Sequence, residues 1–222
     1  MSAIRVALVD DQALFRAGIR MLVESQDDLV FAGDAADGRA AVALAERSRP
    51  DVMLMDVRMP QLDGIGATER ILADAERDGR EPPRILVLTT FDLDENAARA
   101  IRAGASGFVL KDADPEFLLA AIRTVHRGNA VIAANATRDL IASAARGSGR
   151  RPAPPAWKDL TARERDIFAL AAKGLSNAEI AASEYLSEAT VKTHLSRVLA
   201  KLGLRDRVQL VVFAYEHDLT GG

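Results

Sequence analysis

The feature that most constrains this chain is the run Val52-Met53-Leu54-Met55, which follows Pro50-Asp51, delivers the single acid Asp56 and is stopped at Pro60. It is apolar on both faces, the mark of a strand in a parallel sheet covered by helices on either side. In open α/β sheets, chemistry gathers beyond the carboxyl ends of the strands, so Asp56 stands where a reactive group is placed. Three further apolar runs also end in polar groups: 4–9 in Asp10-Asp11, 85–88 in Thr89-Thr90, and 107–110 in Lys111. If these strands lie parallel and adjacent, two acids, the central acid, a hydroxyl and an ammonium share one pocket. Clustered carboxylates repel one another and invite a hard divalent cation such as Mg2+. A carboxylate beside Mg2+, with Lys and Thr to hold phosphoryl oxygens, suits an acyl phosphate on Asp56.

The intervening segments read as helices. Leu14, Ile19, Leu22 and Val23 fall at helical spacing and predict a helix over 12–25. A strand over 29–33 and an Ala-rich helix over 39–48 follow. Gln61-Leu62-Asp63-Gly64 is a turn signal opening a helix to about 78, and 79–83 is a polar, proline-broken loop. Helices over 93–103, closed by Gly104, and 115–127, closed by Gly128, complete five strand-helix units. This alternation with short connections predicts a doubly wound five-stranded parallel α/β sheet. A short helix is expected over 135–145. Residues 146–155 then turn to Gly, Pro and Arg, the composition of an exposed, proline-stiffened linker. Trp157 lies just past it, and packing in a small core and contact across the linker both remain open.

The back half carries capping signals. Thr161-Ala-Arg-Glu164 and Ser176-Asn-Ala-Glu179 both fit the reciprocal capping box, with Asp206-Arg-Val-Gln209 a weaker third. Four helices follow, 162–173, 177–183, 188–202 with Ser187 as N-cap, and 207–218, describing a helix-turn-helix plus a fourth helix. Charge divides along the same line. Residues 1–130 hold 16 Lys/Arg against 22 Asp/Glu, and residues 131–222 hold 13 against 10. An acidic front suits a metal or phosphoryl site and a basic back suits nucleic acid. With no cysteine there is neither a disulfide framework nor a thiolate metal site. No basic start followed by an apolar stretch and no run of membrane-spanning length is present, so a cytoplasmic protein with no membrane partner is expected.

The set Asp10-Asp11, Asp56, Thr89 and Lys111, in this order, resembles the receiver domain of bacterial two-component response regulators. The tail from Leu160-Thr161-Ala162-Arg163-Glu164 through Thr190-Val191-Lys192-Thr193-His194 resembles the helix-turn-helix domain of the LuxR/NarL class. Together they cover nearly the whole chain. The resemblance implies a flavodoxin-like strand order, 2-1-3-4-5, a receiver over 1–130, a helix and linker over 131–156, and a DNA-binding domain over 157–222. It implies that Asp56 accepts a phosphoryl group from a sensor histidine kinase. Mg2+ would be held by Asp11 and Asp56, supported by Asp10 and completed by the backbone carbonyl of Arg58. Thr89 and Lys111 would contact the phosphoryl group, and Phe108 stands at the switch position, without the hydroxyl of a tyrosine. Asp112 follows the lysine where many receivers have proline. An aspartate-nucleophile hydrolase of the haloacid dehalogenase type is the rival. That type wants a second Asp two residues on, and here that position is Arg58, so a regulator and not an enzyme is expected. A receiver-like regulator that works without phosphorylation is a further alternative.

In the helix 188–202, Lys192, Thr193, Ser196, Arg197 and Lys201 share one side while Val191, Leu195, Val198 and Leu202 form an apolar stripe on another. The resemblance implies double-stranded DNA as partner. Lys192, Thr193 and Ser196 would sit in the major groove, with Arg197 and Lys201 nearer the phosphates. His194 has no second His or Cys nearby and reads as a packed or capping residue. Glu184 departs from the pattern, which places an apolar residue there. Either the helix ends early and Tyr185 fills the gap, or the register differs. The last helix is apolar on two sides, Val208, Val211, Val212 and Tyr215 on one, Leu210, Phe213 and Ala214 on the other. A domain this small covers one side, and by resemblance the other meets the same helix of a second, phosphorylated subunit.

Overall fold

A computed structural model of the chain describes residues 3–89, 99–128, 153–217 and 219, with the side chains of Tyr215 and Glu216 outside that set. The chain divides into two units, Met1–Ala136 and Thr137–Gly222.

In the first unit, strands β1 (Ile4–Val9), β2 (Leu29–Ala35), β3 (Val52–Asp56), β4 (Arg84–Thr89) and β5 (Gly107–Leu110) form one sheet. Its order is β2-β1-β3-β4-β5, and every pair is parallel. This is the doubly wound architecture expected from the alternation of elements. Helices α1 (Ala13–Glu24), α2 (Gly38–Ser48), α3 (Gly64–Arg77) and α4 (Pro115–His126) flank it. Every residue of β3 is buried, as its two-faced apolar run requires. Alternate strand residues Val6, Leu8, Val52, Leu54, Leu86, Leu88 and Val109 pack in one core with Val23 of α1 and Leu118, Ile122 and Val125 of α4. Ala7, Val9, Met53, Met55, Ile85, Val87 and Phe108 fall between them in register and are buried on the other face. Strand β2 runs two residues further than its apolar residues suggest. Its pairing with β1 carries a register shift between Val6 and Ala7, which lets Asp34 and Ala35 continue the ladder. Of the helix expected over 93–103, residues 99–102 are helical and 103 lies in the closing turn; residues 93–98, the helix expected over 135–145 and most of the linker lie outside the described residues.

In the second unit a short 3-10 helix (Pro155–Asp159) leads into α5 (Ala162–Ala172), α6 (Asn177–Glu184), α7 (Glu188–Leu202) and α8 (Arg207–Glu216). Both capping boxes form. Thr161 and Ser176 accept from the amides of Glu164 and Glu179 at 3.2 Å each, and the two Glu carboxylates reach back to the cap amides at 2.8 and 2.6 Å. Ser187 accepts from the Thr190 amide at 3.1 Å and Asp206 from that of Gln209 at 3.1 Å. Around Phe168, Ile167, Ile180, Val191, Leu195, Val198, Leu210 and Ala214 close the core. Trp157 packs against it, edge-on to Phe168 with centroids 4.9 Å apart, so it has the packing role in this small core. Arg207 fixes the start of α8 to the turn before α6. Its guanidinium donates to the Leu175 carbonyl and, at 3.1 Å, to Asn177 Oδ1.

Candidate functional site

The parallel register β1-β3-β4-β5 brings the strand ends together. Val9 pairs with Met55, Asp56 with Leu88, and Thr89 with Leu110, so Asp10, Asp56, Thr89 and Lys111 emerge at one edge. Asp10 is fully buried and Asp56 is 5% exposed, while Asp11 faces solvent. One carboxylate oxygen from each of Asp10, Asp11 and Asp56 lies within 4.8 Å of the others. The Lys111 ammonium bridges two of them, 2.7 Å from Asp10 Oδ2 and 2.9 Å from Asp56 Oδ2. Asp10 Oδ2 makes no directed hydrogen bond, so this close charge is what satisfies it. Burial pushes the Asp56 pKa up, Lys111 pulls it back, and the charge of Asp10 adds to the rise. Burial also works against the charge of Lys111, but its ion pairs with Asp10 and Asp56 outweigh it and its pKa is raised.

Three neighbours shape the site without having stood out in the sequence. The Phe15 ring of α1 lies under the Lys111 ammonium, 5.2 Å from centroid to Nζ, a cation-π contact. Arg16 donates to the Asp10 carbonyl at 2.8 Å and pairs with Asp34 at 2.8 Å, fixing the backbone behind the acids. Gly64 opens α3 against β3, and a Cβ there would sit 1.8 Å from the Asp56 carbonyl oxygen. Nothing in the periodicity around Phe15 or Arg16 distinguishes them from core and surface residues; Gly64 could be found only as part of a turn. The Arg58 amide lies 3.4 Å from Asp56 Oδ1. Thr89 and Phe108 are both buried.

In the second unit Lys192, Thr193, Ser196 and Arg197 are exposed along α7, opposite the buried Val191, Leu195 and Val198. The hydroxyls of Thr193 and Ser196 donate to carbonyls one turn back, at 2.9 Å each. His194 is half-buried, its Nδ1 enclosed, in keeping with a packed residue. Lys201 is occupied elsewhere. Its ammonium donates to Glu164 Oε2 at 2.7 Å and to the Asp159 carbonyl at 3.0 Å, tying α7 to the start of α5. The Glu164 carboxylate, bonded by Lys201 and the Thr161 amide, is held down at about 2. Helix α6 runs through Glu184, whose carboxylate pairs with Arg163 of α5. Tyr185 does not fill a gap in the core: it is 96% exposed, because the left-handed position it occupies aims its side chain outward. On α8, Val208 is buried with Leu210 and Ala214, and Phe213 packs on Phe168 at 6.2 Å, whereas Val211 and Val212 are half-buried.

Residues 6–123 match the family model of the response regulator receiver domain, and residues 158–214 that of bacterial regulatory proteins of the luxR family. The chain belongs to the LuxR-type response regulators. Among their members it is 41% identical to the transcriptional regulatory protein YxjL of Bacillus subtilis over 97% of each chain. It is 36% identical to the response regulator protein VraR of Staphylococcus aureus, over 97% of this chain and 98% of that one. The crystal structure of the response regulator ChrA, from a heme-sensing two-component system, superposes with a TM-score of 0.52 at 35% identity, covering 99% of this chain and 100% of that one. A receiver joined to a LuxR-type domain makes this a transcriptional response regulator, and its acidic cluster is compatible with Mg2+. Among the described residues, no helix is long and apolar enough to cross a membrane.

Proposed function

We propose that this response regulator takes a phosphoryl group onto Asp56 from a phosphohistidine of a sensor kinase, and that phosphorylation favours a homodimer which controls transcription at paired DNA half-sites. The observation that carries the reading is the geometry of Asp56, a buried strand-end carboxylate bridged to Asp10 by Lys111 with Asp11 beside it. In the transfer, an Asp56 carboxylate oxygen forms the new bond to phosphorus while the bond from phosphorus to the kinase imidazole breaks and the imidazole keeps the electron pair. Lys111 holds a phosphoryl oxygen, and Thr89 supplies a hydroxyl at the same strand edge. Three acids with hard oxygen donors fit a divalent cation, and the site already accepts a positive charge between Asp10 and Asp56. Asp10, Asp11, Asp56 and the Arg58 carbonyl would hold Mg2+, which supplies charge neutralisation for the phosphoryl oxygens. With Arg58 where a hydrolase of the rival type needs an acid, the site suits storage of the phosphoryl group, so the protein acts as a regulator and not a turnover enzyme.

On the DNA side, Lys192, Thr193, Ser196 and Arg197 form the exposed face that enters the major groove, and Val211 and Val212 with Tyr215 form the dimer contact of α8. Domain limits of 1–130 and 157–222 around a linker and a cytoplasmic location complete the reading. Acetyl phosphate labelling read by intact mass tests it. Wild type gains one phosphoryl group in Mg2+, and Asp56→Asn gains none; labelling of that variant at an acid-stable, base-labile position would refute the assignment.

A further inference from the structure

We propose that Tyr185, in the turn between α6 and α7, is a DNA contact whose phenol donates a hydrogen bond to a backbone phosphate at the rim of the groove. The proposal rests on the DNA-binding reading of the second unit. Helix α6 ends with two amides, those of Tyr185 and Leu186, donating to the Ala181 carbonyl, the second at 2.9 Å, and Leu186 packs on the core. This paired termination, anchored by an apolar residue just past the end, requires the residue at the bend to be left-handed, where glycine or asparagine is usual. Tyr185 holds φ 54 and ψ 43, a conformation that costs any residue with a Cβ. Burial does not offset that cost, since the side chain is 96% exposed, the most open of the large exposed hydrophobic side chains among the described residues. A strained, unpacked aromatic on a rigid turn is accounted for by binding outside the chain.

DNA is the partner its surroundings favour. Tyr185 stands two residues before the N-cap of α7, the helix whose exposed face carries Lys192, Thr193, Ser196 and Arg197. Glu184, which would repel a phosphate, is drawn away into its pair with Arg163. Near the tyrosine in sequence, Ala182, Ser183, Ser187 and Ala189 are exposed and small, with Glu188 the acid among them, so these neighbours leave room for a sugar-phosphate chain and form no apolar patch of the kind a protein partner covers. Tyrosine is among the side chains that hydrogen-bond phosphates, and such contacts carry no sequence information. A neutral phenol also releases no counter-ion, so its loss leaves the salt dependence of binding unchanged.

The test uses the full chain with acetyl phosphate and Mg2+ and two fluorescent duplexes, one enriched from a random pool by wild type and one of scrambled sequence. Binding is read at several salt concentrations, and urea unfolding is followed by Trp157 fluorescence. Tyr185→Gly and Tyr185→Asn should unfold at the same or higher urea yet bind both duplexes about fivefold more weakly with an unchanged salt slope, the ordinary net worth of one hydrogen bond. Tyr185→Phe should show most of that loss. Glycine and asparagine variants that bind within about twofold of wild type would overturn the proposal and point to a protein partner. A phenylalanine variant that binds like wild type, a loss confined to the enriched duplex, or lowered urea midpoints in both left-handed-tolerant variants would overturn it too. If wild type binds neither duplex, it is the DNA-binding reading that fails.

Discussion

Replacing Lys201 should cost stability before it costs DNA affinity. Its ammonium is the cation of a nearly buried carboxylate, Glu164, which also serves the capping box of α5. Lys201→Ala should therefore destabilise the second unit by about 2 kcal/mol, whereas Lys192→Ala, on the open face, should stay within about 0.5 kcal/mol of wild type. Urea unfolding read by Trp157 separates them. The same pair sets a pH response. Folding lowers the Glu164 pKa from 4.5 to about 2, so its contribution is complete above the unfolded value and lost as pH falls from 4.5 toward 2. Glu164→Gln should flatten that part of the stability profile; a wild-type profile already flat there would contradict the pairing. In the first unit Gly64→Ala meets the Asp56 carbonyl, so a loss of about 1 to 3 kcal/mol in thermal unfolding is expected, together with slower labelling of Asp56.

At the scale of elements, α8 now has an inside and an outside. Leu210 and Ala214 belong to the core and the half-buried Phe213 packs against it, while Val211 and Val212, equally half-buried, stand outside that cluster. Phe213→Asp should unfold the second unit, and Val211→Asp should leave it folded with cooperative binding to paired half-sites lost. Sedimentation and DNA titration decide between them, and a folded Val211→Asp variant that still binds cooperatively would remove this face from the dimer. The helices were legible because cap chemistry is local: a hydroxyl and a Glu three residues apart act within one turn, as at Thr161 and Ser176. Tyr185 was not, since its residue type suggests burial while its place is decided by a backbone angle that composition does not encode. Nor was the burial of Val208, which spacing groups with Val211, Val212 and Tyr215, because helical spacing gives a face without saying what lies against it.

Across the whole molecule, the acid cluster was legible for a different reason. Each acid, hydroxyl or ammonium closes an apolar strand, and the parallel order alone brings residues as distant as Asp10 and Lys111 to 2.7 Å. Phe15 and Arg16 stayed hidden, because their contacts exist only after the sheet has assembled. If the two units work as one regulator, acetyl phosphate with Mg2+ should tighten DNA binding of wild type by about 5- to 150-fold and leave Asp56→Asn unchanged. Equal tightening of both would place the control elsewhere. Arg207 bears on how such titrations are read. Its charge is held by neutral acceptors, the Leu175 carbonyl and Asn177 Oδ1, and its pKa is lowered by burial, with Glu179 opposing. Dissolved ions have little leverage on a joint made of a guanidinium and uncharged oxygens, so raising ionic strength weakens the grip on phosphates while the hinge between α8 and the helix-turn-helix keeps its shape.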